Sequence, residues 1–209
     1  MDLFSSSTPQ STNLLPYDGT VTYHSSVLGA NVNSLYKQLL TSINWQSDII
    51  HMFCKRIVTK RKVAWYGDQP YAYTYSKSTK TALPWTPELQ DIKQTIEDRS
   101  KHSYNSCLLN LYHDGSEGMG WHSDDESELL KGGAIASISL GAERKFVFKH
   151  KRTKEKVTVL LHPGSMLVMS GPCQQHWLHS LPPTKKVTTP RINLTFRTIQ
   201  TSNELTGDE

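Results

Sequence analysis

After Ser103 the chain becomes a succession of short apolar runs set off by turns. These are CLLNLY from Cys107, AIASISLG from Ala134, RKFVFKH from Arg144, KVTVLLH from Lys156, GSMLVMS from Gly164 and RINLTFR from Arg191. Runs of six to eight residues bounded by glycine read as strands, and a strand cannot bury its apolar side alone. Many such strands in sequence require two facing sheets, so a sandwich or jelly roll is expected. Ahead of them, Val32, Leu35, Tyr36, Leu39 and Leu40 recur at helical spacing between Asn31 and Ser42, as do Leu89, Ile92 and Ile96 between Pro87 and Asp98. Two helices are expected there, buttressing a sheet. The class is mainly β, α+β in content, and 209 residues fit one domain.

Strand parity then picks out chemistry. If residues 191 to 197 are a strand, Arg191, Asn193, Thr195 and Arg197 share one face while Ile192, Leu194 and Phe196 share the other. Two guanidiniums with an amide and a hydroxyl between them can hold both ends of a small dicarboxylate, because arginine forms planar two-pronged hydrogen bonds with carboxylates and stays charged. An edge strand with a solvated basic face is the plain alternative. Upstream, His122 and Asp124 lie two apart, so one short strand projects both to the same side while Ser123 points away. A further histidine from HWLHS, either His176 or His179, completes a two-histidine, one-carboxylate face that leaves other metal positions open. Imidazole and carboxylate without thiolate suit ferrous iron. Asn110 and Tyr112 also share parity, either toward the same cavity or as satisfied core residues.

Asn110-Leu111-Tyr112, the His122 to Glu126 run, His179-Ser180-Leu181-Pro182 and the Arg191 to Arg197 run together resemble the AlkB family of iron(II) and 2-oxoglutarate dependent dioxygenases. The likeness extends from about Tyr66 to Ile199, to the branch holding the DNA-repair dealkylases of animal nuclei and their bacterial relatives. It implies a double-stranded β-helix whose open mouth holds the metal, with Arg191 deeper inside. It implies Fe(II) held by His122, Asp124 and His179, the ligand before Ser-Leu-Pro being the one selected. It implies 2-oxoglutarate held by Arg191 and Arg197 with hydrogen bonds from Asn110, Tyr112, Asn193 and Thr195, and O2 as co-reactant. Asp125 matches an acidic residue that contacts the exocyclic amine of the target base, against the alternative of a solvated carboxylate in the run Asp124, Asp125, Glu126, Glu128. A recognition lid is implied over about 50–80, with Phe53 as the wedge that fills the gap of a flipped base, Arg61 as a DNA contact, and Tyr73, Thr74 and Tyr75 lining the base pocket.

Charge bears on the substrate. The 23 Lys and Arg exceed the 19 Asp and Glu only slightly, yet basic residues cluster at Lys55, Arg56, Lys60, Arg61 and Lys62 and at Lys149, Lys151, Arg152, Lys154 and Lys156. Such clusters either meet phosphates or simply solubilise a hairpin tip. Tyr66, Tyr71, Tyr73 and Tyr75 beside the first favour nucleic acid, since aromatics among cations stack exposed bases. The same stripe would also serve as a core or edge face. Three cysteines without CxxC spacing imply neither a disulfide framework nor a thiolate metal site. The Ser-rich start lacks the features of a signal peptide, and no stretch is long and apolar enough to span a membrane.

The expectation is therefore a monomeric enzyme of the cytoplasm, nucleoid-associated if bacterial and nuclear if eukaryotic. Flexible tails cover 1–20 and 201–209, and one dioxygenase domain covers 21–200. Its resemblance implies oxidative demethylation of 1-methyladenine and 3-methylcytosine in DNA, single- or double-stranded, or in RNA. A dioxygenase of the same fold acting on a protein side chain or small molecule has no need of the lid residues. A non-catalytic nucleic-acid-binding module has no need of His122, Asp124, His179, Arg191 and Arg197.

Overall fold

The computed structural model describes residues 12–52, 55–75 and 78–200, with backbone alone for the described parts of 48–57 and 73–80. In chain order the strands and helices are β1 Thr20–His24, α1 Val32–Ser42, β2 Gln46–Met52, β3 Lys55–Gly67, β4 Ala72–Tyr75, β5 Ser78–Thr81, β6 Leu83–Pro84, α2 Pro87–Ser100 and β7 Ser106–Tyr112. There follow β8 Met119–His122, β9 Ile135–Gly141, β10 Arg144–His150, β11 Lys156–Leu161, β12 Met166–Ser170, α3 Cys173–His176, β13 Trp177–Leu181 and β14 Arg191–Arg197. A major sheet runs β1-β12-β9-β14-β7-β3-β2, with β6 beside β3, and a minor sheet runs β11-β10-β13-β8. The strands β4 and β5 form a separate antiparallel ribbon.

Both expected helices are present and pack where their apolar stripes require. Thr86 caps α2 by accepting the Leu89 N–H, Pro87 occupies the first turn, and Lys101 ends the helix in the left-handed region. Leu39, Leu89, Ile92 and Ile96 are buried against Leu109, Leu111, Ile138, Leu140, Ile192, Leu194 and Phe196, the helix-facing parity of the major sheet. The opposite face of that sheet meets the minor sheet and is divided. Toward β1 and β12 it is apolar, with Val21, Ile135, Leu167 and Met169 packed on Phe148, Leu161 and Trp177. Toward β7, β9 and β14 the same inter-sheet face carries Asn110, Ser137, Ser139, Arg191 and Thr195, all buried and polar. Polar residues on this inner face line a cavity rather than an apolar core.

Residues 12–20 depart from the expected flexible tail. Asn13 closes a loop by accepting from the Leu15 and Val21 amides and donating to the Gly19 carbonyl. Leu15 is buried, Tyr17 donates to Glu155, and the Tyr17 carbonyl accepts from the Trp177 indole. The polar composition that reads as a tail here supplies turn-closing hydrogen bonds instead.

Arg144 is 1 % exposed and donates to three carbonyls, those of Asp114, Glu117 and Pro182. It thereby ties the loop entering β8 to the end of β13. Gly118 lies flush against the Leu181 carbonyl in the same junction, where a Cβ would collide. Arg144→Met is expected to destabilise the protein by about 3 kcal/mol, since it strands buried acceptors of a charged donor. Urea unfolding measures this, and a loss below about 1 kcal/mol would show the clamp to be redundant.

Candidate metal and cosubstrate site

The minor sheet brings His122 on β8 and His179 on β13 into direct register. Their ring centroids are 4.3 Å apart. Asp124 joins them, with His122 Nε2 to Asp124 Oδ1 at 3.7 Å, and one potential ligand atom from each of the three residues lies within 4.8 Å of the others. The parity expectation for Asp124 is only half met. The strand ends at His122, so Asp124 sits in the following loop, where its amide donates to the Gln174 side-chain carbonyl at 3.0 Å. His122 Nδ1 lies 2.9 Å from the Gly120 carbonyl, which fixes the proton on Nδ1 and leaves the Nε2 lone pair toward Asp124.

The three groups are electrostatically prepared for a cation. Burial raises the Asp124 pKa, but Arg197 beside it and the two histidines outweigh that and hold it low, so the carboxylate is ionised. Burial presses His179 down to about 4, with Asp124 opposing and His122 assisting, so its imidazole is neutral and has a free lone pair at neutral pH. In the metal-free protein the folded state then resists a proton that the unfolded chain accepts near its ordinary 6.5. Stability accordingly falls as pH drops through the window from about 6.5 to 4. His179→Leu is expected to remove about 3 kcal/mol of that fall. Urea unfolding at a series of pH values checks it, and an unchanged slope would assign the acid sensitivity elsewhere.

His176 is not part of this group. It stacks on His150, centroids 6.2 Å apart, in a second His and Asp cluster with Asp18. His150 Nδ1 accepts the Thr153 N–H at 3.0 Å, so its proton sits on Nε2, 3.2 Å from Asp18. That pair clamps residue 18 to the minor sheet.

Across the cavity, β14 lies between β7 and β9 with Arg191 opposite Tyr112, Asn193 opposite Asn110 and Ser139, and Thr195 opposite Leu108 and Ser137. Arg191 is 2 % exposed and donates from Nη2 to Ser139 Oγ at 2.9 Å and Asn193 Oδ1 at 2.7 Å. Asn193 in turn donates to Thr195 and accepts from Ser137. The guanidinium stands 5.6 Å from the Tyr112 ring centroid. Burial lowers the Arg191 pKa to about 10, with Tyr112 opposing and Arg144 assisting, and it remains a cation at neutral pH. Its Nε is buried without a hydrogen-bond partner among the described residues. A cation this deep, with a donor unspent and no carboxylate bridged to it among the described residues, is built for an anionic guest.

Arg197, expected with Arg191 to hold the cosubstrate's carboxylates, lies on the same cavity and also meets two acidic side chains. Its Nη1 is 3.3 Å from Glu126 and its Nε 4.0 Å from Asp124. Asp124 and Glu126 outweigh burial and raise its pKa. Met119, Phe146 and Leu181 supply the apolar wall between the two polar walls. The exposure gradient, 36 % at the His122 side chain and 2 % at Arg191, puts the histidine near the mouth and the arginine at depth.

Ser137, Ser139, Glu126 and Gln174 escaped the sequence reading. The serines had a signal, since they share parity within the otherwise apolar AIASISLG. Of the implied substrate residues, Arg61 donates to Met119 Sδ at 3.2 Å and so reaches the cavity wall. Asp125 is exposed and lines an adjacent cavity with Glu126 and Gln174 rather than the metal cavity itself. Tyr73, Thr74 and Tyr75 lie on β4, with only their backbone described, and Phe53 lies outside the described residues.

A family model for the 2OG-Fe(II) oxygenase superfamily matches residues 19–197. The mouse protein named DNA oxidative demethylase ALKBH2 is 39 % identical over 181 residues, covering 81 % of this chain and 76 % of its own length. This chain belongs to the AlkB family of 2-oxoglutarate and iron(II) dependent dioxygenases. The human protein of the same name is 43 % identical over 72 % of this chain, which spans 60 % of that relative. The bovine alpha-ketoglutarate-dependent dioxygenase alkB homolog 3 is 37 % identical over 80 % of this chain and 61 % of its own length. The solved structure of OsALKBH1 superposes with a TM-score of 0.58 at 19 % identity, covering 85 % of this chain and 96 % of that one, and establishes the double-stranded β-helix fold. As an AlkB-family enzyme the protein uses Fe(II), 2-oxoglutarate and O2. The donor set fits that requirement, since it offers an imidazole, a carboxylate and a second imidazole without thiolate. No helix among the described residues is long and apolar enough to cross a membrane.

Proposed function

We propose that the protein removes methyl groups oxidatively from N-alkylated bases of DNA, 1-methyladenine and 3-methylcytosine foremost. The observation that carries the reading is the pairing of His122, Asp124 and His179 on one wall with the unspent donor of Arg191 on the other. The names of the mouse and human relatives point to DNA as the polymer. In this reading His122, Asp124 and His179 hold the iron, and Arg191 anchors the distal carboxylate of 2-oxoglutarate while Tyr112 and Asn110 complete its seat. Arg197, held by Glu126, balances the charge of Asp124 and closes the seat on the metal side. When bound, iron and 2-oxoglutarate supply an O2-dependent oxidation in which the cosubstrate becomes succinate and CO2 and the substrate methyl group gains a hydroxyl. The resulting N-hydroxymethyl base loses formaldehyde and recovers its pairing face.

This chain's own groups do the rest. In this reading Met119, Phe146 and Leu181 exclude water from the methyl group, and Asp125, which follows Asp124 and lines the adjacent cavity, accepts from an exocyclic amine of the extruded base. Base extrusion is cheapest for a lesion whose pairing face is already blocked. A basic surface supports a polyanionic substrate. Trp121, 40 % exposed, has Lys149 Nζ 4.2 Å and Lys156 Nζ 5.9 Å from its ring, an aromatic set among cations next to a proposed ligand. Phe53 and Arg61 are the proposed wedge and strand contact, and Tyr73, Thr74 and Tyr75 the proposed base-pocket lining.

Incubation with Fe(II), ascorbate, 2-oxoglutarate and oligonucleotides carrying 3-methylcytosine or 1-methyladenine should release formaldehyde stoichiometrically with succinate. Single-stranded DNA, duplex DNA and RNA arms rank the polymers. Absence of turnover on every methylated DNA would overturn the proposal, and exclusive turnover on RNA would move it to that polymer.

A further inference from the structure

The loop that carries Asp124 has no ladder to hold it. The strand β8 ends two residues earlier, and the side chain of Asp124 meets His122 and Arg197 at 3.7 and 4.0 Å. Its backbone N–H is nevertheless captured, by the side-chain carbonyl of Gln174 at 3.0 Å. Gln174 is itself fixed elsewhere. Its amide nitrogen donates to Met169 Sδ at 3.4 Å, and its backbone carbonyl accepts from Lys151 Nζ at 2.9 Å. It also stands on α3, the short turn that runs directly into β13 and His179.

We propose that Gln174 is a positioning residue for the metal site: its side-chain carbonyl fixes the Asp124 backbone and so joins the loop-borne ligand to the element that carries His179. The inference rests on the reading of Asp124 as an iron ligand. Three ligands from one rigid strand pair would need no such tie. Here two come from paired strands and the third from a loop that borders a second cavity, lined by Asp125, Glu126, Leu130 and Gln174 among others, into which it has room to lean. A backbone shift of about 1 Å would carry the carboxylate out of reach, and lost outer supports of metal ligands commonly cost about 10- to 100-fold in affinity.

Gln174→Met keeps length and apolar stem and removes the acceptor, while Gln174→Glu restores an acceptor oxygen. Titrating the metal-free chain with Co(II), followed by visible absorption and calorimetry, needs no nucleic acid. We expect Gln174→Met to bind Co(II) about 10- to 100-fold more weakly with an unfolding midpoint in the metal-free state close to that of the parent, and Gln174→Glu to recover most of the loss. In turnover, the Fe(II) concentration for half-maximal rate should rise while the KM for oligonucleotide holds. If Gln174→Met does not fold, Gln174→Asn, which withdraws the same carbonyl by one methylene, carries the comparison. A parent chain that binds no Co(II) overturns the metal reading and this proposal together. Parent-like Co(II) affinity in Gln174→Met, within about threefold, or no recovery in Gln174→Glu, overturns this proposal alone.

Discussion

Asp124→Ala is expected to lower demethylation at least ~1000-fold and to abolish tight metal binding while leaving the fold intact. The loss should exceed the 10- to 100-fold typical of outer supports, because the only anionic ligand is removed and two neutral imidazoles remain. The fold should survive for a reason visible in the site. Arg197 keeps its 3.3 Å contact with Glu126, so its guanidinium keeps a counter-charge, and the amide of residue 124 can still reach Gln174. Formaldehyde release and Co(II) titration measure the two losses, and circular dichroism with urea unfolding checks the third claim. Activity within tenfold of the parent would mean that the metal is held by other groups.

Arg191→Met should weaken 2-oxoglutarate binding by about 2 to 5 kcal/mol, because it removes one partner of a buried, charge-assisted pair. That corresponds to a Kd raised by roughly 30-fold to several thousand-fold. The empty protein should tolerate the change well. Burying this guanidinium costs enough to lower its pKa to about 10, and the Ser137, Asn193 and Thr195 hydrogen bonds close among themselves without it. Calorimetric titration with 2-oxoglutarate in the presence of Co(II) isolates the binding step. Unchanged affinity would relocate the carboxylate anchor, with Arg197 the next candidate.

RINLTFR could be read correctly down to individual side chains, because strand parity is a local property: Arg191, Asn193 and Thr195 face the cavity and Ile192, Leu194 and Phe196 the helices, as the period of two requires. The helices over 32–42 and 87–100 were likewise legible from apolar spacing, with Thr86, Pro87 and Lys101 marking the ends of the second. The same local rule put Asp124 on the right side by the wrong route, since it assumes that a strand continues, and β8 stops at His122. Residues 12–20 misled for a related reason. Their ends are held by Glu155 and Trp177, partners more than a hundred residues away that have no local signature.

What the sequence determined by itself was chemistry and parity: which residues were equipped to bind a metal and an acid, and which of them shared a face. What only the tertiary structure decided was which face met which. The pairing of β14 with both β7 and β9, and of β13 with β8, set the arginine wall opposite the histidine wall. It also drew Arg197 onto Glu126 and Asp124 and brought Gln174 to a ligand fifty positions away. Those contacts depend on long-range register, which is chosen by burial of whole faces rather than by any neighbouring residue.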